Sequence, residues 1–183
     1  MIKRNHRLIA ASLAVLGLIF SAAAPGQTTR ELYKSAARTF MRFNAESALH
    51  RELVLKASGI LIFPRITKGG AGVGAESGQG VLLIAGKPVA YYRLSGASVG
   101  ATLGLAEHSE LVLFMTPEAL QRFMDAEVWT VGADAAVAVV SKGVGAAYDS
   151  ETLQQPILGF VFDERGFIAD VSLEGTRIIR KQS

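Results

Sequence analysis

Arg30, Lys34, Arg38 and Arg42 recur every four residues. A helix stacks such positions one above the next, so together they form a stripe of positive charge. Arg65 and Lys68 make a second cationic pair, set between Pro64 and the glycine-rich run Gly69 to Gly74. Guanidinium and ammonium groups hold oxyanions, the first as a planar fork and the second as a point charge. A glycine-rich loop beside them would add backbone N–H donors arranged as an anion nest. At an anionic membrane each nearby Lys or Arg contributes about 1 kcal/mol. The plainer use of the same residues is as solvated charges on an amphipathic helix and a loop.

Other chemistries find less support. There is no cysteine, hence no thiol nucleophile, thiolate metal site, disulfide or lipid-modified N-terminal cysteine. The histidines are His6, His50 and His108. Neither HExxH nor a carboxylate-rich calcium loop accompanies them, so no metal is expected. No GxSxG elbow frames a serine; Ser95 and Ser141 read as turn serines, and His108, between Glu107 and Ser109, as a solvated turn residue. A hydrolase built on His50 or His108 is the weakest of three functional readings. GxxxxGK[ST] is absent, and Gly72-Val73-Gly74-Ala75-Glu76-Ser77 fails the dinucleotide fingerprint at its last position. No cofactor is expected. Asp163 and Glu164 are explained as hairpin-tip residues.

The N-terminus reads as an export signal over residues 1–23, with Lys3, Arg4 and Arg7 before the apolar run Leu8 to Phe20 and small residues Ser21-Ala22-Ala23 at the cleavage point. The run is shorter than the ~20 residues that a membrane-spanning helix needs. This places the mature chain in the periplasm or outside the cell. Cleavage would remove three of nineteen basic residues and leave sixteen against sixteen acidic ones, a balance with no basic excess for nucleic acid. After a linker over 24–29, residues 30–183 suit one domain.

A helix is expected from Arg30 to about Ala57, capped by Thr28 or Thr29. Phe40 and Phe43 lie on its apolar side with Ser47. Short strands then alternate with glycines: Gly59 to Phe63, halted by Pro64; Ala71 to Glu76 paired with Gly80 to Ile84; and Val89 to Leu94 after the turn at Ala85-Gly86-Lys87-Pro88. Ser95 to Leu105 reads as a strongly curved strand and Glu110 to Met115 as another. Thr116-Pro117-Glu118 opens a second helix, Pro117 to Asp125. Val128 to Val140 looks like a strand buried on both faces, and Trp129 within it like a core residue rather than a headgroup anchor. Gly143 to Tyr148, a hairpin of Ile157 to Phe162 with Phe167 to Leu173, and Arg177 to Arg180 complete the strands. The sum is an α+β fold, a strongly curved antiparallel sheet closed as a barrel or sandwich, with a long N-terminal amphipathic helix and one short helix.

The chain resembles the SYLF domain, also called the Ysc84 actin-binding domain. The resemblance is carried by Ser58-Gly59-Ile60-Leu61-Ile62-Phe63-Pro64 with Lys68, Gly69, Gly72 and Gly74, by Ser98 to Gly104, by Trp129-Thr130-Val131-Gly132-Ala133-Asp134-Ala135, and by Gly166 to Gly175. It implies a non-enzymatic lipid-binding module, exported in bacteria, whose basic N-terminal helix and the pair Arg65 and Lys68 meet anionic phospholipid at a membrane surface. A protein-interaction or envelope-structural module, with a protein partner, is the alternative.

Overall fold

The computed structural model describes residues 28–141, 151–165, 173 and 175–181. The expected export signal, the expected linker up to residue 27, the strand expected over 143–148 and most of the expected second arm of the last hairpin lie outside them.

Thr28 opens helix α1 (Thr29–Glu46) as a capping box: its hydroxyl accepts from the Glu31 amide, and the Glu31 carboxylate accepts from the Thr28 amide. Hydrogen bonds from the Thr28 hydroxyl and amide hold the Glu31 carboxyl below its ordinary range. The single helix expected to reach Ala57 is broken at Ser47, which is extended and whose hydroxyl accepts from the His50 amide at 3.0 Å to cap α2 (Ala48–Lys56). A serine hydroxyl that offers the backbone an alternative partner is a ready break point.

Two strands dominate the sheet, β1 (Gly59–Ile84) and β2 (Lys87–Phe114), paired antiparallel along their length. Their turn, Ala85-Gly86, has positive φ at both residues, 49° and 74°, the geometry whose twist matches a two-residue hairpin. Pro64 does not halt β1. It sits in a bulge where Pro64 and Arg65 oppose one residue of β2, and a bulge removes the need for its missing amide. Nor do 71–76 and 80–84 pair with each other, since both belong to β1.

β1 instead curls back across itself. A Cβ on Gly78 would lie 3.0 Å from the Arg65 carbonyl oxygen, and one on Gly80 would lie 2.6 Å from the Phe63 ring and 3.0 Å from the Ile62 carbonyl oxygen. In a straight strand, residues 65 and 78 would stand about 43 Å apart. Gly80→Ala is therefore expected to destabilise by about 1–3 kcal/mol through overpacking, read as a lower urea midpoint at unchanged slope.

On its other side β2 pairs with β5 (Ile157–Arg165) along one half and with β6 (Arg177–Arg180) along the other. β3 (Val128–Thr130) joins β6, and β4 (Ala138–Ser141) joins β5 in parallel. The sheet is thus mixed, and it forms a strongly curled half-barrel rather than a closed barrel or a sandwich. The expected strand from Val128 to Val140 is two strands separated by a turn at Gly132 (φ 89°), where Asp134 accepts from the Thr130 amide.

Each face carries its own core. Outside, Phe43 and Leu53 of the first two helices pack on Ile60, Ile62, Leu111, Leu113, Phe160 and Phe162. Inside the curl, helix α3 (Pro117–Asp125), begun by the Thr116 cap and Pro117 as expected, packs Phe123 against Tyr92, Phe114 and Trp129. Trp129 is a core residue, 3% exposed. No helix among the described residues is long and apolar enough to cross a membrane.

Candidate functional site

Two β-bulges at the same level of the sheet build the site. On one side of β2, Pro64 and Arg65 of β1 bulge opposite Ser109; on the other, Asp163 and Glu164 of β5 bulge opposite His108. Bulges re-aim side chains and end regular pairing. Asp163 adopts φ 57°, a left-handed conformation that aspartate tolerates better than most residues. The result is a hollow of about 170 Å³ where α1 crosses the sheet, lined by Arg38, Arg42, Arg65 and Arg165 together with Glu107, Ser109 and Asp163.

Four guanidiniums face two carboxylates there, which leaves two positive charges in excess. Arg42 donates from both Nε and Nη2 to Asp163 Oδ2, at 3.0 and 2.6 Å, and from Nη2 to Thr39 Oγ1 at 3.2 Å. The Ser109 hydroxyl donates to the Pro64 carbonyl at 3.0 Å, with Asp163 Oδ2 its second acceptor at 3.3 Å. Arg65 Nε stands 3.8 Å from Glu107. The Arg38 and Arg165 side chains form no hydrogen bond or ion pair with another described residue. A polar hollow with spare guanidiniums fits an oxyanion, which can accept from more than one of them.

Of the six cations singled out in the sequence, the fold brings together Arg38, Arg42 and Arg65. Arg30 and Lys34 are exposed on α1, about two turns and one turn before Arg38, and continue the same positive row away from the hollow. Exposed Met41 lies on that side of the helix, 61% accessible. Lys68 does not line the hollow. It sits in β1 opposite Ala106, and the glycine-rich run beside it is paired strand, so the expected amide nest does not form. Arg165, Ser109 and Asp163 were not legible as site residues. Asp163 in particular is more than a hairpin-tip residue, because β5 runs on through Arg165.

The inner face holds a second polar group, one member of which, His108, also lines the hollow. His108 is buried in β2, not a solvated turn residue; burial, and next the charge of Lys68, push its pKa down to about 4. Glu110 is fully buried, and burial, then the nearby Glu76, push it up to about 8. Burial also raises the Tyr92 hydroxyl. Ser109 points to the opposite side of β2 from these two, as successive strand residues do, so no serine–histidine relay is assembled. His50 is spent in the outer core, its ring stacked on Phe43 at 4.1 Å with Nδ1 3.0 Å from the Phe43 carbonyl. Ser95 and Ser141 lie in strands rather than turns. Among the described residues no three His, Asp or Glu side chains gather as a metal site.

Residues 95–183 match the Ysc84 family, described as a Las17-binding protein and actin regulator. Over that segment, just under half of the chain, the sequence is similar to the Ysc84 (SYLF) family. No curated protein matches it. The Ysc84 segment supplies Glu107, Ser109, Asp163 and Arg165 to the hollow, whereas Arg38, Arg42 and Arg65 come from α1 and β1, which precede it. The motif residues Trp129 and Asp134 of the Ysc84-matching segment serve structure, the first in the inner core and the second in the turn after β3.

Proposed function

We propose that this protein is a non-enzymatic binding module that engages anionic phospholipid headgroups at the bacterial envelope, to which the export signal would deliver it. The observation that carries the reading is the meeting of Arg38, Arg42, Arg65 and Arg165 around one hollow with a net positive charge. Arg30 and Lys34 extend the attraction along α1, and Met41 among them offers an apolar group to the lipid boundary, as interfacial helices do. The match of residues 95–183 to a family described by what it binds agrees with a binding role.

Vesicle co-sedimentation tests it. Binding is expected to rise with the fraction of phosphatidylglycerol in phosphatidylcholine vesicles, and to fall as salt screens exposed charges beyond ~8 Å. Arg38→Gln and Arg165→Gln should each weaken it about fivefold, the size of one basic residue at an anionic surface. Equal binding to neutral and anionic vesicles would sink the proposal.

A second reading, a protein-interaction module, rests on the family description and on Val128 and Ile179, apolar and 47% and 38% exposed on neighbouring strands at the β3 end of the sheet. A partner recovered by pull-down after lipid extraction, and lost in Val128→Lys, would favour it.

A further inference from the structure

We propose that Asp163 is a built-in competitor for the anion: its carboxylate holds the place in the arginine hollow that a phosphate oxygen would take, so a ligand must exchange Arg42 away from it. This deepens the anionic-lipid reading and rests on it.

Three observations point the same way. Asp163 Oδ2 alone collects three contacts, from Nε and Nη2 of Arg42 and from the Ser109 hydroxyl, which is how one oxygen of a bound phosphate would be gripped. The carboxylate is delivered there by a bulge with Asp163 at φ 57°; a regular ladder would have pointed the residue elsewhere. Finally, the grip is incomplete, because Arg38 and Arg165 line the same hollow and have no acceptor among the described residues. An arriving oxyanion therefore gains two guanidiniums at once and a third when Arg42 lets go. Arg42 and Asp163 are both partly open to solvent, with side chains 52% and 30% exposed, so the exchange carries only the modest cost of a solvated ion pair. The hollow would thus stay neutralised in part until a multiply acceptor-bearing headgroup arrives.

Asp163→Asn keeps the size and the tolerance for positive φ while removing the charge. Its affinity for phosphatidylglycerol-containing vesicles is expected to rise three- to fivefold, the scale of a partly exposed ion pair. Glu164→Gln deletes the same charge one residue away, outside the hollow, and should change little. The gain should vanish in an Arg42→Gln background. Should the asparagine variant fail to fold, Asp163→Gly supplies the same backbone conformation without the carboxylate. If wild-type protein binds the vesicles but Asp163→Asn binds no tighter, or Glu164→Gln tightens equally, the competitor role is overturned and the lipid reading stands. If neither protein binds anionic vesicles or inorganic phosphate, both fall. A gain seen with inorganic phosphate in calorimetry, in a protein that binds no anionic vesicles, keeps the competitor and overturns the lipid reading.

Discussion

Glu110→Gln is expected to abolish a loss of stability that the wild-type protein suffers between about pH 6.5 and 8. Glu110 is 1% exposed on the inner face of β2, its Oε2 has no hydrogen-bond partner among the described residues, and burial with the nearby Glu76 raises its pKa from 4.5 to about 8. Its folded pKa lies above the unfolded one, so the folded chain binds the extra proton, and the corresponding stability is complete below 4.5 and lost as pH climbs through 8. His108 works in the other sense. Burial and Lys68 lower it from 6.5 to about 4, so its contribution is complete above 6.5 and lost as pH falls through 4. From 4.5 to 6.5 the two slopes oppose each other. Between 6.5 and 8 Glu110 is the one group among the described residues with a shift that separates the two states, and stability should fall by about 1.4 kcal/mol per pH unit, or about 2 kcal/mol by pH 8. Urea unfolding across that range would show it. The glutamine variant should be flat from 6.5 to 8 and more stable than wild type at pH 8. A wild-type profile already flat there would mean that Glu110 finds a partner the described residues do not provide.

What could be read in the sequence divides along the line between local and distant causes. Helix α3 was legible to the residue because Thr116, Pro117 and Glu118 are neighbours and each acts on the first turn. The turn at Ala85-Gly86 and the last strand, Arg177 to Arg180, were legible for the same reason. The break at Ser47 is hidden in the sequence because a place on the apolar side of one long helix and a use as a cap look alike in a helical projection. In the sequence β1 reads as divided at Pro64 and at Ser77-Gly78-Gln79, since proline and glycine usually punctuate strands. Here the proline sits in a bulge and Gly78 and Gly80 make room for Ile66 and Phe63 of the same strand, a requirement set by residues more than ten positions away. The parallel pairing of β4 with β5 is equally nonlocal.

The site follows the same rule. The stripe on α1 could be found by counting in fours, and Arg65 stood out beside a proline. Arg165 and Asp163 could not, because the alternation of β5 breaks at Asp163 and the break looks like a turn. Only the pairing of β5 with β2 shows it to be a bulge that carries both residues back to the cations of α1. The helix cations come from outside the Ysc84-matching segment and the bulge from inside it, so the hollow exists only while α1 stays seated on the sheet.

That dependence gives the other large effect. Phe43 is fully buried between α1 and the sheet, stacked on His50 and edge-on to Phe160 at 4.9 Å, with Phe162 at 5.6 Å. Phe43→Ala should cost about 3–5 kcal/mol, as large buried truncations do. Its neighbour Arg42 reaches Asp163, the residue after Phe162, so a loosened α1 withdraws Arg38 and Arg42 while Arg65 and Arg165 remain on the strands. Phe123→Ala is the matched control. Phe123 is 1% exposed in the inner core against Tyr92, Phe114 and Trp129, and its removal should cost a similar amount without touching the hollow. Measured at a temperature where both variants are folded by circular dichroism, anionic-vesicle affinity should fall at least fivefold for Phe43→Ala, since two arginines leave, and hold for Phe123→Ala. If the two variants lose binding alike, the hollow answers to global stability, and the seating of α1 has no special part in it.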